Sequence, residues 1–343
     1  MDGKVFGSRV KRVEDPAFLR GQGRYVDDIK LVDMVSAAFV RSPFPHARLK
    51  GIDKSKAEEI AGVHAVYTFE DLKPHLTDNR LPVEFPGGVP NAETAGPVIM
   101  VFDETMYVGE CVAIVIADTR HIAEDAAALV EVDWEPLPAV GDCKKALEPD
   151  APTVSIHVNN NLMMEMVQEY GDVDNVFKSA PHTFREEIWQ HRGSGHPIEC
   201  RGAVSRYDPM QDLTTLWSST QMPNLVQGFI IKLLGAHEDQ LRVITPDVGG
   251  GFGPKFVFYS EELIVALCSK LCGRPVKWIE DRREHFVSTV QERDQYWDAE
   301  IAVDNDGLIL GVRGTLIHDH GAYTIQGITL PYNAAACIPG PYK

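Results

Sequence analysis

The sequence predicts an α+β protein. Three features say so. Short strands and helices follow one another irregularly through residues 19–140, a strand, a glycine loop and a helix occupy residues 241–272, and a strand hairpin lies at 296–317. The 343 residues are enough for two domains with sizeable cores.

Residues 1–18 are polar and read as an arm or an early docking segment. Lys30 to Arg41 reads as a strand ended by Ser42-Pro-Phe-Pro-His46, where two prolines enforce a turn. Ser55 to Ile60 reads as a short helix ending near Gly62, and Val63 to Thr68 as a strand. Residues 73–100 are loop-rich, with Pro82, Pro86, Gly87, Gly88 and Pro90. Tyr107 to Ala117 is almost continuously apolar and predicts a strand covered on both faces. Asp118 or Thr119 can cap a helix over Arg120 to Leu129, whose Ile122, Ala126 and Leu129 share a face. Val130 to Glu135 adds a strand, and Pro136 and Pro138 close a first domain over residues 19–140.

Residues 141–165, with Pro149, Pro152 and Asn159-Asn160-Asn161, read as a connector to a second domain over 166–343. Thr183 to Trp189 and Leu213 to Ser219 read as strands. The latter runs through Thr220-Gln221-Met222 into a helix opened by Pro223 and closed by Gly235. About thirty residues on, the β-branched run Leu241 to Thr245 leads through a glycine loop into a helix. That helix, Ser260 to Cys272, is stopped by Gly273 and Pro275. Tyr296 to Val303, the turn Asp304-Asn-Asp-Gly307 and Leu308 to Ile317 form the hairpin.

Lys plus Arg is 33 and Asp plus Glu is 50, a formal charge of −17, which argues against a general nucleic-acid or anionic-membrane surface. The six cysteines are dispersed without a C-x-x-C, so neither an iron–sulfur cluster nor a zinc knuckle is expected in this chain. Cys268 and Cys272, at i, i+4 on a helix, read as core-facing thiols. The opening residues lack an apolar secretory core and no long apolar run follows, so a cytoplasmic protein with reduced thiols is expected.

Gly249, Gly250 and Gly251 leave three successive positions without a Cβ. Such a backbone can take positive φ and bring its N–H groups up against a ligand, which makes an anion cradle or a plain turn. The loop does not fit G-x-G-x-x-G, and Pro254-Lys255-Phe256 replaces the ending of a phosphate P-loop. His182, His191 and His196 have no metal-ligand spacing, and His318-Asp319-His320 reads as a polar strand end. Ser194 with His196 lacks the setting of a serine hydrolase nucleophile.

Several segments, in one order along nearly the whole chain, resemble the molybdopterin-binding large subunit of the xanthine oxidase family. The likeness is greatest to its aldehyde oxidase and carbon monoxide dehydrogenase branch. Phe39-Val-Arg-Ser-Pro-Phe-Pro-His-Ala47, Val108-Gly-Glu110 and Glu135-Pro-Leu-Pro138 resemble the family's α/β hammerhead domain. Six segments resemble its first molybdopterin-binding domain, here truncated. They are His196-Pro-Ile-Glu199, Arg201-Gly-Ala-Val204, Ser218-Ser-Thr-Gln221, Asp247-Val-Gly-Gly-Gly-Phe-Gly253, Val276-Lys-Trp-Ile-Glu-Asp-Arg282 and Asp319-His-Gly-Ala-Tyr323.

The resemblance implies that Gln221 hydrogen-bonds an oxo ligand of molybdenum. It further implies that Gly250, Gly251, Phe252 and Gly253 approach the metal centre and its dithiolene through their backbone. Pro254 stands where family members usually carry a small or polar residue, and it removes one N–H donor. The implied cofactor is molybdopterin with molybdenum, its cytosine dinucleotide form left open. A 2Fe-2S cluster and FAD are implied on partner subunits. The implied reaction is hydroxylation of an aldehyde, CO or an N-heterocycle with oxygen taken from water. The family's glutamate base would lie beyond Lys343. A C-terminal half or second molybdopterin subunit is therefore implied as a further partner, and a cofactor-docking half-subunit remains an open alternative.

Overall fold

The computed structural model describes residues 6–83, 92–325 and 329–338. Pro86, Gly87, Gly88, Pro90 and the closing Gly340-Pro-Tyr-Lys343 lie outside them. The first part of the chain forms α1 (Asp15–Phe18), β1 (Val35–Arg41), β2 (Ala47–Asp53), α2 (Ser55–Glu58), β3 (Val63–Thr68) and α3 (Phe69–Leu72). It continues with α4 (Ala92–Ala95), β4 (Glu104–Thr105), β5 (Cys111–Ala117), α5 (Arg120–Ala127) and β6 (Glu131–Pro136). The second part forms α6 (Val173–Ser179), β7 (His182–Gln190), β8 (Gly202–Asp208), β9 (Leu213–Ser218), α7 (Pro223–Leu234) and β10 (Leu241–Ile244). It ends with α8 (Ser260–Cys272), β11 (Val276–Ile279), α9 (Arg282–Ser288), β12 (Gln295–Val303), β13 (Ile309–His318) and α10 (Thr329–Cys337).

The largest sheet has seven strands in the order β10-β9-β8-β11-β1-β5-β3, so it draws on sequence from both sides of residue 140. The join is β1 against β11, parallel, with Val35 facing Val276. Strand β5 is buried along all seven residues, as its unbroken apolar run predicts. Ile114 and Ile116 face the main core with α8, while Val115 packs with Ala126 of α5 on the other face. The strand starts at Cys111 rather than Tyr107, because Gly109 at φ +103 turns the chain first. The α5 cap falls to Thr119, which accepts from the Ile122 N–H.

Helix α8 is the centre of the second part, buried continuously from Glu261 to Ser269. Gly273 ends it at φ +61, the left-handed stop the sequence predicts, and Gly235 ends α7 in the same way at φ +60. Cys268 is buried in the core and Cys272 is half-buried beside Tyr67. The hairpin β12–β13 pairs from Gln295↔His318 to Val303↔Ile309, and the Asp304 carboxylate caps its turn by accepting from Asp306 and Leu308 N–H. Strands β2 and β8 and helices α6 and α9 have no counterpart in the sequence reading. Asp172 and Asp281 cap the two helices, so an N-cap signal was present in both.

Strands β13-β12-β7 make a separate sheet, in which all nine residues of β7 are exposed. On one face Phe184 and Ile188 lie opposite Ile301 and Trp297, which lie opposite Val312 and Leu316. Trp297, Val312 and Leu316 of this face line a groove of about 2010 Å³, together with Met163, Met164 and Met166. Among the described residues no helix is long and apolar enough to cross a membrane.

Candidate functional site

Strands β9 and β10 are parallel neighbours, paired from Thr214↔Leu241 to Trp217↔Ile244. Their C-terminal ends therefore lie side by side. The chain leaves one through Ser219-Thr220-Gln221 into α7, and leaves the other through residues 245–259 into α8. Two loops about thirty residues apart meet at one end of the sheet, where parallel strands commonly present ligand sites.

Four hydrogen bonds join the loops, the longest from the Thr245 hydroxyl to the Thr220 carbonyl at 3.4 Å. Gln221 N–H donates to the Lys255 carbonyl at 2.8 Å and the Thr220 hydroxyl donates to the same oxygen at 3.3 Å. Gly253 N–H donates to Gln221 Oε1 at 3.2 Å. Gln221 is exposed, and its Nε2 hydrogens meet no partner among the described residues. A Cβ on Gly251 would stand 2.4 Å from Gln221 Cδ, and one on Gly249 would stand 2.5 Å from Glu199 Cβ. Gly250 and Gly253 take φ of +102 and +97, and Phe252 takes +55 with 76% of its surface exposed. Among the described residues no acceptor meets the N–H of Gly250, Gly251 or Phe252. Three unspent N–H groups and an exposed carboxamide thus gather in one place, an arrangement that receives lone pairs of an anion.

Behind the loop, Glu199 Oε2 accepts both Gly249 N–H and the Lys255 ammonium, each at 2.8 Å. Burial pushes the Lys255 pKa below the ordinary lysine range, against the pull of Glu199. Glu199 Oε1 is buried without a hydrogen-bond partner, as is Arg282 Nη1, although Arg282 Nη2 donates to the Pro197 and Ile198 carbonyls. Asp247 pins the loop entrance by accepting from Arg24 N–H at 2.7 Å and donating back to the Arg24 carbonyl at 3.0 Å. Pro254 fits the loop exit, where its carbonyl accepts from the Tyr259 hydroxyl at 2.6 Å.

Residues 156–343 match the molybdopterin cofactor-binding domain, and residues 20–138 match the a/b hammerhead domain of aldehyde oxidase and xanthine dehydrogenase. The chain belongs to the molybdopterin-binding large-subunit family of these enzymes. It is 37% identical over 326 residues to the nicotine 6-hydroxylase large subunit of Paenarthrobacter nicotinovorans, covering 95% of this chain and 39% of that one. It is 36% identical over 332 residues to the carbon monoxide dehydrogenase large chain of Afipia carboxidovorans, covering 92% and 40%. The crystal structure of quinoline 2-oxidoreductase from Pseudomonas putida 86 matches with a TM-score of 0.85 and 36% identity, over 92% of this chain and 40% of its own. The chain spans about two fifths of the length of these relatives. The architecture is α+β, a hammerhead domain followed by part of a molybdopterin-binding domain.

Within this large-subunit fold, the segments that carry the family likeness separate into two groups. Ser218–Gln221 and Asp247–Gly253 build the cradle. The others, apart from Glu199 behind the cradle, hold the two domains internally and to each other. Arg41 donates to Glu261 and Glu284, while Arg201 donates to Glu280, Glu261 and Ser288. Burial alone would raise the Glu280 carboxyl, but Arg201 and then His285 hold it well below the usual carboxylate range. His46 bridges the Pro138 carbonyl and Glu104. The Tyr323 hydroxyl donates to Glu110 at 2.5 Å, and burial pushes the Glu110 carboxyl up to about 7.

The histidines do not assemble as ligands. His191 packs on Trp189, and His196 packs on Phe286. His318 and His320 do share a side, their rings 4.8 Å apart, and burial lowers both pKa values, that of His320 to about 4. Cys200, Glu280 and His285 bring one ligand atom each within 4.8 Å of one another. Arg201, Ser288, Thr289 and His285 already bond the Glu280 oxygens, so this trio is a hydrogen-bonded network and not an open cation site. Glu199 and Lys255 carried no role in the sequence reading. Nothing in their immediate neighbours marks them as a pair, because 56 residues separate them.

Proposed function

We propose that this chain holds molybdopterin within a molybdenum hydroxylase that oxidises an aldehyde, CO or an N-heterocycle with oxygen from water. The observation that carries the reading is the contact of Gln221 with the 249–253 loop, beside three N–H groups that meet no acceptor among the described residues. The residues fit such a group. Gly249 and Gly251 let the loop pack close against Glu199 and Gln221, the free N–H groups and the Gln221 carboxamide offer donors, and Lys255 offsets the charge of Glu199 behind them.

When bound, the cofactor supplies a redox-active molybdenum centre to which substrate electrons pass. This chain's own residues bind and orient. The N–H groups of Gly250, Gly251 and Phe252 would receive sulfur or oxygen lone pairs, and Gln221 Nε2 would donate to an oxygen ligand. The exposed Phe252 ring would shield that face from water. Beside the cradle, Asp247 bonds Arg24, and Glu199 bonds Gly249 and Lys255 through one of its oxygens; the family resemblance puts the base in the part of the family length that this chain does not cover.

The names of the relatives, a nicotine hydroxylase large subunit, a carbon monoxide dehydrogenase large chain and a quinoline oxidoreductase, support N-heterocycle or CO substrates and a multi-subunit assembly. In this reading the partners are a second molybdopterin-binding polypeptide or C-terminal half, a 2Fe-2S subunit and an FAD subunit. The assembly is cytoplasmic, with the cofactor as molybdopterin or its cytosine dinucleotide form. The apolar face of the β12 sheet and its groove supply surface for the C-terminal half.

Metal analysis of the purified assembly tests the cofactor. Molybdenum and pterin are expected there, and their absence overturns the reading. Gln221→Ala is expected to lower kcat by about a hundredfold, as losing a positioned donor does. A change within about twofold would remove Gln221 from the site.

A further inference from the structure

The ion pair behind the glycine loop does more than packing requires. Lys255 and Glu199 side chains are 1% and 14% exposed, and 2.8 Å separates their charged atoms. A buried pair is a poor stabiliser, because the loss of hydration offsets most of the attraction, and apolar side chains of similar size would fill the space as well. What apolar side chains cannot do is hold the backbone. The Glu199 oxygen that takes the Lys255 ammonium also takes Gly249 N–H, so one carboxylate grips both ends of the segment 249–255. At its far end the Lys255 carbonyl receives Gln221 N–H and the Thr220 hydroxyl, and midway Gly253 N–H meets Gln221 Oε1. Between these ties lie glycines, which have no side chain to fix them and the greatest conformational freedom to lose. The second Glu199 oxygen is buried without a partner, an unfavourable state unless a donor from outside the chain meets it.

We propose that Glu199 and Lys255 are positioning residues that clamp loop 249–255, so that the N–H groups of Gly250, Gly251 and Phe252 and the Gln221 carboxamide hold one geometry toward the bound cofactor. This rests on the reading of the cradle as a molybdopterin site. The pair touches the loop, and it acts on the cofactor through the loop.

Two variants of the assembled enzyme test it. Lys255→Met frees one end of the loop and leaves Glu199 as a buried, uncompensated carboxylate. The double variant Glu199→Leu with Lys255→Met replaces the pair by apolar groups, so packing survives while both ties vanish. The readouts are molybdenum and pterin per chain after prolonged dialysis, the electron paramagnetic resonance signal of Mo(V), and the unfolding temperature. The double variant is expected to unfold within a few degrees of the wild type. It should nonetheless retain about tenfold less cofactor, the lower end of what loss of a supporting partner around a metal site produces. Any metal that remains should give an altered Mo(V) signal. A double variant that is stable and fully loaded with an unchanged signal overturns the clamp alone. A wild-type assembly without molybdenum overturns the cofactor reading instead.

Discussion

Gly251→Ala should separate stability from function. The new Cβ would stand 2.4 Å from Gln221 Cδ, 2.6 Å from Oε1 and 2.8 Å from Cγ. Non-bonded carbons settle at about 3.5–4 Å, so the carboxamide must withdraw by more than about 1 Å. It can do so, because Gln221 is an exposed, flexible side chain. The bond from Gly253 N–H is then lost, at about 1 kcal/mol. Gly251 itself is not in the left-handed region, so alanine loses less chain entropy on folding and returns about 0.4–1 kcal/mol. The net change in stability is close to zero. Displacing a positioned donor by that distance should nevertheless lower kcat by about a hundredfold. Gly253→Ala has the opposite profile. Nothing lies within 4 Å of its new Cβ, but φ of +97 strains any side chain by about 1–3 kcal/mol, so its loss shows first in the unfolding temperature. The assay is kcat of the assembled enzyme beside molybdenum content and thermal unfolding. Gly251→Ala with full molybdenum and kcat within about twofold of wild type would refute a cofactor-facing Gln221.

Glu110 makes stability pH-dependent. Its folded pKa, pushed up to about 7 by burial, lies above the unfolded value, so the native state holds the extra proton. The associated stability is complete below about pH 4.5 and falls by about 3 kcal/mol as pH rises through 7. Glu262, also pushed up to about 7 by burial, adds a similar slope. Glu110→Gln should therefore remove about 2–3 kcal/mol of the fall in unfolding free energy between pH 5 and 8 measured in urea. Gly109→Ala places a Cβ 2.4 Å from the Val287 carbonyl oxygen at φ +103, where backbone must move. A loss of more than about 2 kcal/mol in the same assay is expected. Arg201→Met leaves the buried Glu280 without its guanidinium and should cost about 3–5 kcal/mol. Arg201→Lys should recover little of it, since one ammonium cannot reproduce the guanidinium's bonds to Glu280 and Ser288 and its stacking on Tyr259.

The sequence made legible what local chemistry decides. Gly235 and Gly273 stop helices because the left-handed position after a helix suits glycine, and Asp304 closes the hairpin turn through its own side chain. Strand β2 alternates only over Ala47-Arg-Leu-Lys50 before its register shifts between Leu49 and Gly51, too short a run to read, and β6 and β4 flank it. The site was legible only in pieces. Gln221 alone is an ordinary polar residue near a strand end, and three glycines alone are a turn. Their meeting depends on β9 and β10 lying parallel and adjacent, a fact that neither segment contains. The family resemblance supplied that pairing in advance.

The same resemblance did not distinguish residues that build the cradle from residues that hold the domains together, and the structure shows how the second kind serves the first. Arg41, on β1 in the hammerhead domain, donates to Glu261 in the first turn of α8. Glu261 also meets Arg201, whose guanidinium lies 3.9 Å from the centre of the Tyr259 ring. Tyr259 precedes α8, and its hydroxyl donates to the Pro254 carbonyl at the end of the glycine loop. Two guanidiniums stand among three carboxylates there, and Glu284 comes off worst, its pKa raised by burial even beside Arg41. Such a network adds little net stability, since the loss of hydration offsets its attractions. What it adds is direction, because each guanidinium bonds several fixed acceptors at once. The start of α8 is thereby held at a set height above the seven-stranded sheet, and the loop that enters it inherits that position. The hammerhead domain is in this sense the back wall of the cradle, and its Arg24 reaches the loop directly through Asp247.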